Sequence, residues 1–258
     1  MKNSIVISKR EILSQFVSPV AYFVITGFTL LAGYFFFNLL SIFNIVVDRY
    51  KQMPYGMSGR DIPNLNQWVI EGYYQTLLII LVFLTPLLTM RLISEEKRRG
   101  TFELLVTSPV SVAEIVLGKF LGAAFTVILM ILLAGIFPLL LCFYGNPEAP
   151  PIFTGLLGVI LCTLAFVSIG MAASSFTESQ VVAGISSMVV LLLLYVVHSP
   201  AEAVGGSLGE VLKYLSPVIQ TRDLITGVIT LKGIIYFISL IAFGLFMTAR
   251  VLDAHRWR

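Results

Sequence analysis

Six uninterrupted apolar blocks constrain this chain more than any other feature. They lie at about 19–40, 73–90, 119–143, 152–172, 180–197 and 233–249. A hydrocarbon core about 30 Å thick requires roughly 20 apolar helical residues. Helices satisfy their own backbone groups in lipid, and the blocks lack the ten-residue alternation that is typical of a membrane barrel. We therefore predict an all-α integral membrane fold with six transmembrane helices, numbered spans 1 to 6.

The charged residues are scarce and unevenly distributed. They make up 12% of the chain, against 57% hydrophobic residues, whereas a soluble domain carries roughly 25% charged residues. With the N-terminus inside, eleven Lys and Arg residues lie on the cytoplasmic side and six on the outer side. The positive-inside rule then favours two cytoplasmic termini. We predict one multi-pass domain over residues 1–258, located in the cell membrane. We expect it to contact the lipid bilayer and not to bind nucleic acid.

The first apolar block is too long for a cleavable signal peptide, whose apolar region has 7–15 residues. We therefore expect it to be retained as span 1. Cys142 and Cys162 lie inside predicted spans at no metal-like spacing, so we interpret them as small apolar side chains.

Three segments outside the spans have distinct patterns. Residues 1–17 are amphipathic and predict a helix on the inner membrane surface, with Ile5, Ile12 and Phe16 on its apolar face. Residues 41–72 mix apolar and polar residues, which predicts a small solvent-exposed excursion of the chain between spans 1 and 2. Residues 198–232 are amphipathic, are interrupted at Ser216-Pro217, and predict two short re-entrant helices in the outer leaflet before span 6.

The absence of certain residues disfavours several functions without excluding them. The interiors of the spans carry no Asp, Glu, Lys or Arg, apart from Lys119 at one boundary. Ion-coupled carriers generally need such a residue to bind or relay the driving ion. Ser186 and Ser187 have no histidine nearby for nucleophilic catalysis, and no Walker-type phosphate-binding loop occurs. An enzyme is disfavoured, and any energy for work must come from another polypeptide.

The stretch "SEEKRRGTFELLVTSP", residues 94–109, concentrates charge and helix-stop signals between spans 2 and 3. We predict that span 2 continues as a helix through Arg91 to Arg99 and that Gly100 ends it. Thr101 then caps a short helix that places Glu103 in its first turn, and Pro109 closes it. The apolar residues of this short helix form one side, which favours a docking role: Phe102, Leu105 and Val106.

Two further helix starts follow from capping signals. Ser111 and Glu114 have capping-box spacing ahead of span 3. Thr177 and Gln180 have the same spacing ahead of span 5.

The segment closely resembles the cytoplasmic coupling helix of ABC exporter permeases of the type-2 superfamily. The shared pattern is E-x-x-x-G-T-x-E-x-L-x-x-x-P, without departure in this chain. Its fixed positions are Glu96, Gly100, Thr101, Glu103, Leu105 and Pro109. The segment "LSPVIQTRDLITGVI" and the closing "ARVLDAHRWR" are also similar to that superfamily, and within it the chain is most similar to the gliding-motility-associated branch.

This resemblance implies a permease subunit that couples ATP hydrolysis in a separate ATPase to substrate movement. The ATPase would dock on the fixed positions above and on Phe102. The implied partners are ABC ATPase subunits, a second permease chain (identical or not), and an auxiliary membrane protein. ATP and Mg²⁺ would bind the ATPase, so this chain would have no catalytic, cofactor or metal residues. An ion-coupled carrier or channel, and a membrane scaffold without transport, remain the alternatives.

Overall fold

The computed structural model describes residues 2–52, 64–100, 110–144, 147–200 and 205–256, and the regular secondary structure within them is helical. No strand occurs within these ranges, as predicted. A π-helical turn, Asn66–Glu71, leads directly into α3. The helices are α1 (Lys2–Val17), α2 (Pro19–Lys51), α3 (Gly72–Thr89), α4 (Ser94–Arg98), α5 (Val112–Tyr144), α6 (Ala149–Ser175), α7 (Gln180–Val196), α8 (Gly206–Leu215), α9 (Pro217–Ile225) and α10 (Leu231–Arg256).

Six helical stretches are long and apolar enough to cross a membrane, which confirms the predicted number of spans within the described residues. They are Ala21–Lys51, Asn66–Arg98, Val112–Phe143, Ala149–Ser175, Gln180–Pro200 and Leu231–Ala254.

The region after span 1 differs from the prediction. Helix α2 does not stop near residue 40 but runs to Lys51, because Phe43 still packs against the core after the apolar block has ended. At 1.5 Å per residue, its 33 residues extend about 50 Å, well beyond the hydrocarbon. The expected polar excursion is therefore shorter than 41–72, and its residues 53–63 lie outside the described ranges.

Spans 2, 3 and 4 form the centre of the bundle. In the 18-residue apolar window of each of these spans, 44–56% of the residues are buried, whereas in spans 1, 5 and 6 only 17–22% are buried. Two fully buried tyrosines of α3 link the central helices, because Tyr73 donates to the Ala134 carbonyl at 2.8 Å and Tyr74 to the Ile152 carbonyl at 2.6 Å. The peripheral spans leave large apolar surfaces exposed, as expected for helices that face lipid.

The segment before span 6 contains two short helices, α8 and α9, divided at Ser216 as the sequence predicts. Tyr236 of span 6 donates a hydrogen bond to the Leu215 carbonyl at 2.7 Å and fixes this division. Helix α9 packs on span 4, where Gly158 lies against Leu224. The depth of the two helices in the outer leaflet remains a prediction.

The predicted capping box ahead of span 5 is wrong. The residue that caps α7 is Ser179, whose side chain accepts a hydrogen bond from Val182 N at 3.5 Å. Thr177 instead accepts from the Ser179 amide at 3.1 Å. The threonine therefore shapes the turn before the helix and does not begin it.

Candidate functional site

The predicted docking residues divide into two groups. Glu96 and Gly100 lie in the described part of the chain, whereas the remainder fall within 101–109, outside it. These are Thr101, Phe102, Glu103, Leu105 and Pro109. The structure describes the residues on either side of 101–109, namely 94–100 and 110–119. We call these two flanks the segment base.

Gly100 ends α4 as predicted. Its φ is +69°, in the left-handed region that favours glycine, and its amide donates to the Lys97 carbonyl at 3.2 Å. A Cβ at this position would meet no atom within 4 Å. The backbone conformation, and not close packing, therefore requires glycine here.

The helix is interrupted between α3 and α4, which contradicts the predicted continuous helix through Arg91–Arg99. Helix α3 ends at Thr89 and α4 starts at Ser94. The Ser174 hydroxyl of span 4 provides an acceptor for backbone amides at this interruption. It accepts hydrogen bonds from the amides of Ile93 at 3.2 Å and Ser94 at 3.1 Å. It also donates to the Met90 carbonyl at 3.1 Å. Periodicity within one segment could not show this, since the stabilising side chain lies about eighty residues away.

Lys97 forms a second link between α4 and span 4. Its ammonium donates to the Ser175 carbonyl at 2.5 Å, at the C-terminal end of α6. A cation is favourable there because the carbonyl end of a helix carries partial negative charge. Together with the Ser174 contacts, this bond holds α4 against the end of span 4.

A buried ion-pair cluster joins α4 to two other helices. The Lys119 ammonium of α5 lies 2.9 Å from Glu96 Oε1 and 3.3 Å from Glu11 Oε2 of α1. The Lys119 side chain is only 4% exposed, and the two glutamates are 20% and 24% exposed. We call Glu11, Glu96 and Lys119 the charge cluster. Because a poorly solvated cation depends on its partners, this cluster fixes the relative positions of α1, α4 and α5.

The start of α5 has the capping box that the sequence predicts. The Glu114 amide donates to Ser111 Oγ at 3.2 Å, and the Ser111 amide donates to Glu114 Oε2 at 3.3 Å. Asn3 of α1 also donates to Glu114 Oε2 at 3.2 Å. The second flank of the segment is therefore held by α1 as well.

Helix α1 runs alongside the first half of α5 and presents its polar face to it. Gln15 accepts a hydrogen bond from Thr126 at 2.6 Å, in addition to the Glu11 contact. The opposite face exposes apolar side chains, as expected for a helix at a membrane surface: Ile5, Val6, Leu13 and Val17. Its placement at the inner surface remains a prediction.

Two glycines allow this close approach. A Cβ on Gly118 would lie 2.7 Å from Ile7 Cβ, and one on Gly122 would lie 2.7 Å from Glu11 Cβ. They form a G-x-x-x-G pattern, "GKFLG", with Lys119 inside it. This sequence pattern is a known signal for close helix packing.

The segment base has the properties of a mechanical junction. It contains ion pairs, helix caps and close glycine contacts, and no group of three or more metal-binding side chains occurs among the described residues. These contacts connect the residues on either side of 101–109 to α1, α5 and span 4.

A comparison with protein-family models decides the class of the protein. Residues 23–252, which include all or most of every span, match the family described as ABC-2 family transporter protein. The chain belongs to this family. It is a permease subunit of an ABC transporter, a multi-pass membrane protein, and family membership implies association with an ABC ATPase. The resemblance noted in the sequence is thus confirmed at the level of the ABC-2 family. A comparison with curated proteins finds no match.

Proposed function

We propose that this ABC-2 permease is the membrane half of an ATP-driven exporter and that residues 101–109 receive movement from the ATPase. The observation that supports this proposal is the buried charge cluster at the segment base. Lys119 ties Glu96, five positions before Thr101, to the start of span 3. A loop whose only role was to place positive charge on the cytoplasmic side would not require this buried ion pair.

The contacts of the segment base give a route for coupling. When the ATPases close on ATP, force on residues 101–109 would pass through α4 to the end of span 4, because Lys97 and Ser174 hold the two together. It would also pass through Lys119 into α5 and α1. Packed helices respond to such a force by rigid-body movement, which would switch the export pathway.

The complete transporter would contain two permease chains, identical or different, and two ATPase subunits that bind ATP and Mg²⁺. An auxiliary membrane protein is a further expected partner. We place the permease in the cell membrane with both termini cytoplasmic, on the distribution of Lys and Arg. We assign it to the gliding-motility-associated branch on sequence resemblance alone.

Purification from native membranes tests this proposal. The permease extracted in mild detergent should retain a separate ATP-binding protein, in a complex that holds two permease chains. Mass spectrometry would identify the components, and ATP hydrolysis in the recovered complex would establish activity. A stable permease without any ATPase under several extraction conditions would instead favour the carrier or channel alternative.

A further inference from the structure

Helix α1 has two sides of different chemistry. Its polar side packs on α5, where Glu11 lies 3.3 Å from the Lys119 ammonium and Gln15 accepts a hydrogen bond from Thr126 at 2.6 Å. The opposite side is exposed, and Val17 and Ile5 keep 83% and 66% of their surface accessible. We call this side the exposed face of α1, and it consists of Ile5, Val6, Lys9, Arg10, Leu13 and Val17.

Two basic residues lie among the apolar residues of the exposed face. Lys9 is four positions from both Ile5 and Leu13. Arg10 is four positions from Val6, and residues at this spacing are neighbours on a helix surface. Among the residues that the structure describes, neither Lys9 nor Arg10 forms an ion pair. The exposed face therefore combines apolar surface with two uncompensated positive charges.

The acidic residue of α1 lies away from this face. Glu11 is the only Asp or Glu in the helix, and its carboxylate belongs to the charge cluster on the polar side. The exposed face therefore offers no carboxylate that would repel an anion or attract the ammonium of a zwitterionic headgroup. Its two positive charges select a negatively charged partner. A helix with apolar and basic residues on one face is typical of segments that bind anionic lipids at the membrane interface.

We propose that anionic phospholipids bind the exposed face of α1 and thereby hold the segment base in place. The apolar side chains enter the boundary between headgroups and hydrocarbon, and Lys9 and Arg10 bind the lipid phosphates. Attraction to an anionic surface strengthens binding by about fivefold for each basic residue near it. Under the proposed topology these lipids belong to the cytoplasmic leaflet, whose surface is negatively charged.

The contacts of α1 connect this lipid surface to the segment base. Asn3 donates to the Glu114 carboxylate, at the start of α5, at 3.2 Å. Glu11 shares the Lys119 ammonium with Glu96 of α4. Lipid that holds α1 therefore holds both flanks, and a firmly held base transmits movement instead of yielding to it. Anionic lipid should thus raise ATP hydrolysis, a consequence that rests on the proposed function because it requires coupling to an ATPase.

Hydrogen exchange and ATP hydrolysis of the permease–ATPase complex in lipid nanodiscs test the proposal. One set of discs contains dioleoyl phosphatidylcholine alone, and the other also contains dioleoyl phosphatidylglycerol. The backbone amides of residues 2–17 should exchange more slowly in the anionic discs, by about fivefold for each of the two basic residues. ATP hydrolysis should be faster in the same discs. High salt should remove most of both differences, because it screens exposed charges.

Double variants assign the effect to the two basic residues. Lys9→Gln with Arg10→Gln should remove both responses to phosphatidylglycerol. Its α1 should still exchange like the parent in phosphatidylcholine, because the contacts with α5 are unchanged. Lys9→Arg with Arg10→Lys keeps both charges and should keep both responses. Arg49→Gln with Lys51→Gln is the matched control, since it removes two exposed positive charges from the end of α2, and it should respond like the parent.

Several results would overturn the proposal. Equal exchange of α1 in the two kinds of disc would mean that the exposed face does not bind anionic lipid, and slowing that survives the double Gln variant would have another cause. Slowing that requires the ATPase but not phosphatidylglycerol would mean a protein contact. Slower exchange with unchanged ATP hydrolysis would contradict the effect on coupling. A permease that retains no ATPase would instead contradict the proposed function, and exchange in the permease alone would still decide the lipid contact.

Discussion

The Lys119 ammonium lies 2.9 Å from the Glu96 carboxylate and connects the start of span 3 to the helix that precedes the predicted coupling segment. The ammonium also contacts Glu11 at 3.3 Å, so one cation serves carboxylates from two other helices. This arrangement makes Lys119 the residue on which the geometry of the segment base most depends.

Replacement of Lys119 by methionine should destabilise the permease strongly. The change keeps an unbranched side chain but removes the ammonium that two partly buried glutamates share, and breaking a buried pair costs about 3–5 kcal/mol. Thermal unfolding in detergent would measure the effect. Lys51→Met is the control, because the Lys51–Asp48 pair is 3.8 Å long and 70% exposed on both sides, and such pairs contribute about 1 kcal/mol or less. Equal midpoints for the two variants would refute the role of the charge cluster.

Replacement of Gly122 by leucine should separate α1 from α5. Even a Cβ at this position would overlap the Glu11 side chain at 2.7 Å, and overpacking of this kind costs about 1–3 kcal/mol. Trypsin should then cut faster at the exposed Lys9 and Arg10, because α1 is no longer held. Gly27→Leu is the matched control, since a Cβ there meets nothing within 4 Å. Unchanged cleavage in the Gly122 variant would show that α1 does not depend on this contact.

Replacement of Ser174 by alanine should loosen the interruption between α3 and α4. The amides of Ile93 and Ser94 lose their acceptor, and an unsatisfied buried polar group costs about 1–3 kcal/mol. Amide hydrogen exchange should become faster at these two residues. Ser41→Ala removes an exposed hydroxyl that bonds within its own helix, to the Phe37 carbonyl, and should change neither exchange nor stability. Slow exchange retained in Ser174→Ala would mean that the break is stabilised in another way.

The sequence predicts the helices well because each signal lies within one segment. The apolar blocks determine the spans, Ser111 and Glu114 determine the start of α5, and the φ of Gly100 follows from its position after α4. Such features depend on residues that are close along the chain. The extension of α2 to Lys51 was missed because packing of Phe43 continues a helix after the apolar pattern has weakened.

The junction could not be predicted because its contacts join distant parts of the chain. Nothing near Lys119 indicates that Glu11 and Glu96 approach it, and nothing near Met90 indicates that Ser174 would satisfy a helix break. The one local signal that was available is the G-x-x-x-G pattern from Gly118 to Gly122. It marks a site of close helix packing but does not identify the partner helix.

The topology can be tested with a reporter that is active only in the cytoplasm. Fusion after Arg258 or insertion near Arg99 should give activity, whereas insertion near Gly56 or Gly205 should give none, because eleven of the seventeen Lys and Arg residues lie on the side of the termini. Silence at Arg99 together with activity at Gly56 would place residues 101–109 outside the cell and remove the proposed ATPase contact.

The central claim is that residues 101–109 couple the permease to its ATPase. Leu105→Asp should place a charge in the predicted apolar contact, where burial is costly, and Glu103→Arg should reverse a charge at the same surface. Both positions lie outside the predicted spans, so expression and membrane insertion should remain near those of the parent. Gln67→Arg, at an exposed position of the π-helical turn, is the control.

The most direct measurement is ATP hydrolysis by the complex reconstituted in vesicles, compared with the ATPase that co-purifies with each permease variant. Leu105→Asp should recover less ATPase, and both Leu105→Asp and Glu103→Arg should lose the stimulation of hydrolysis that the parent permease provides, whereas Gln67→Arg should retain it. If both coupling-segment variants assemble and hydrolyse ATP like the parent, residues 101–109 do not transmit movement and the proposed mechanism is wrong.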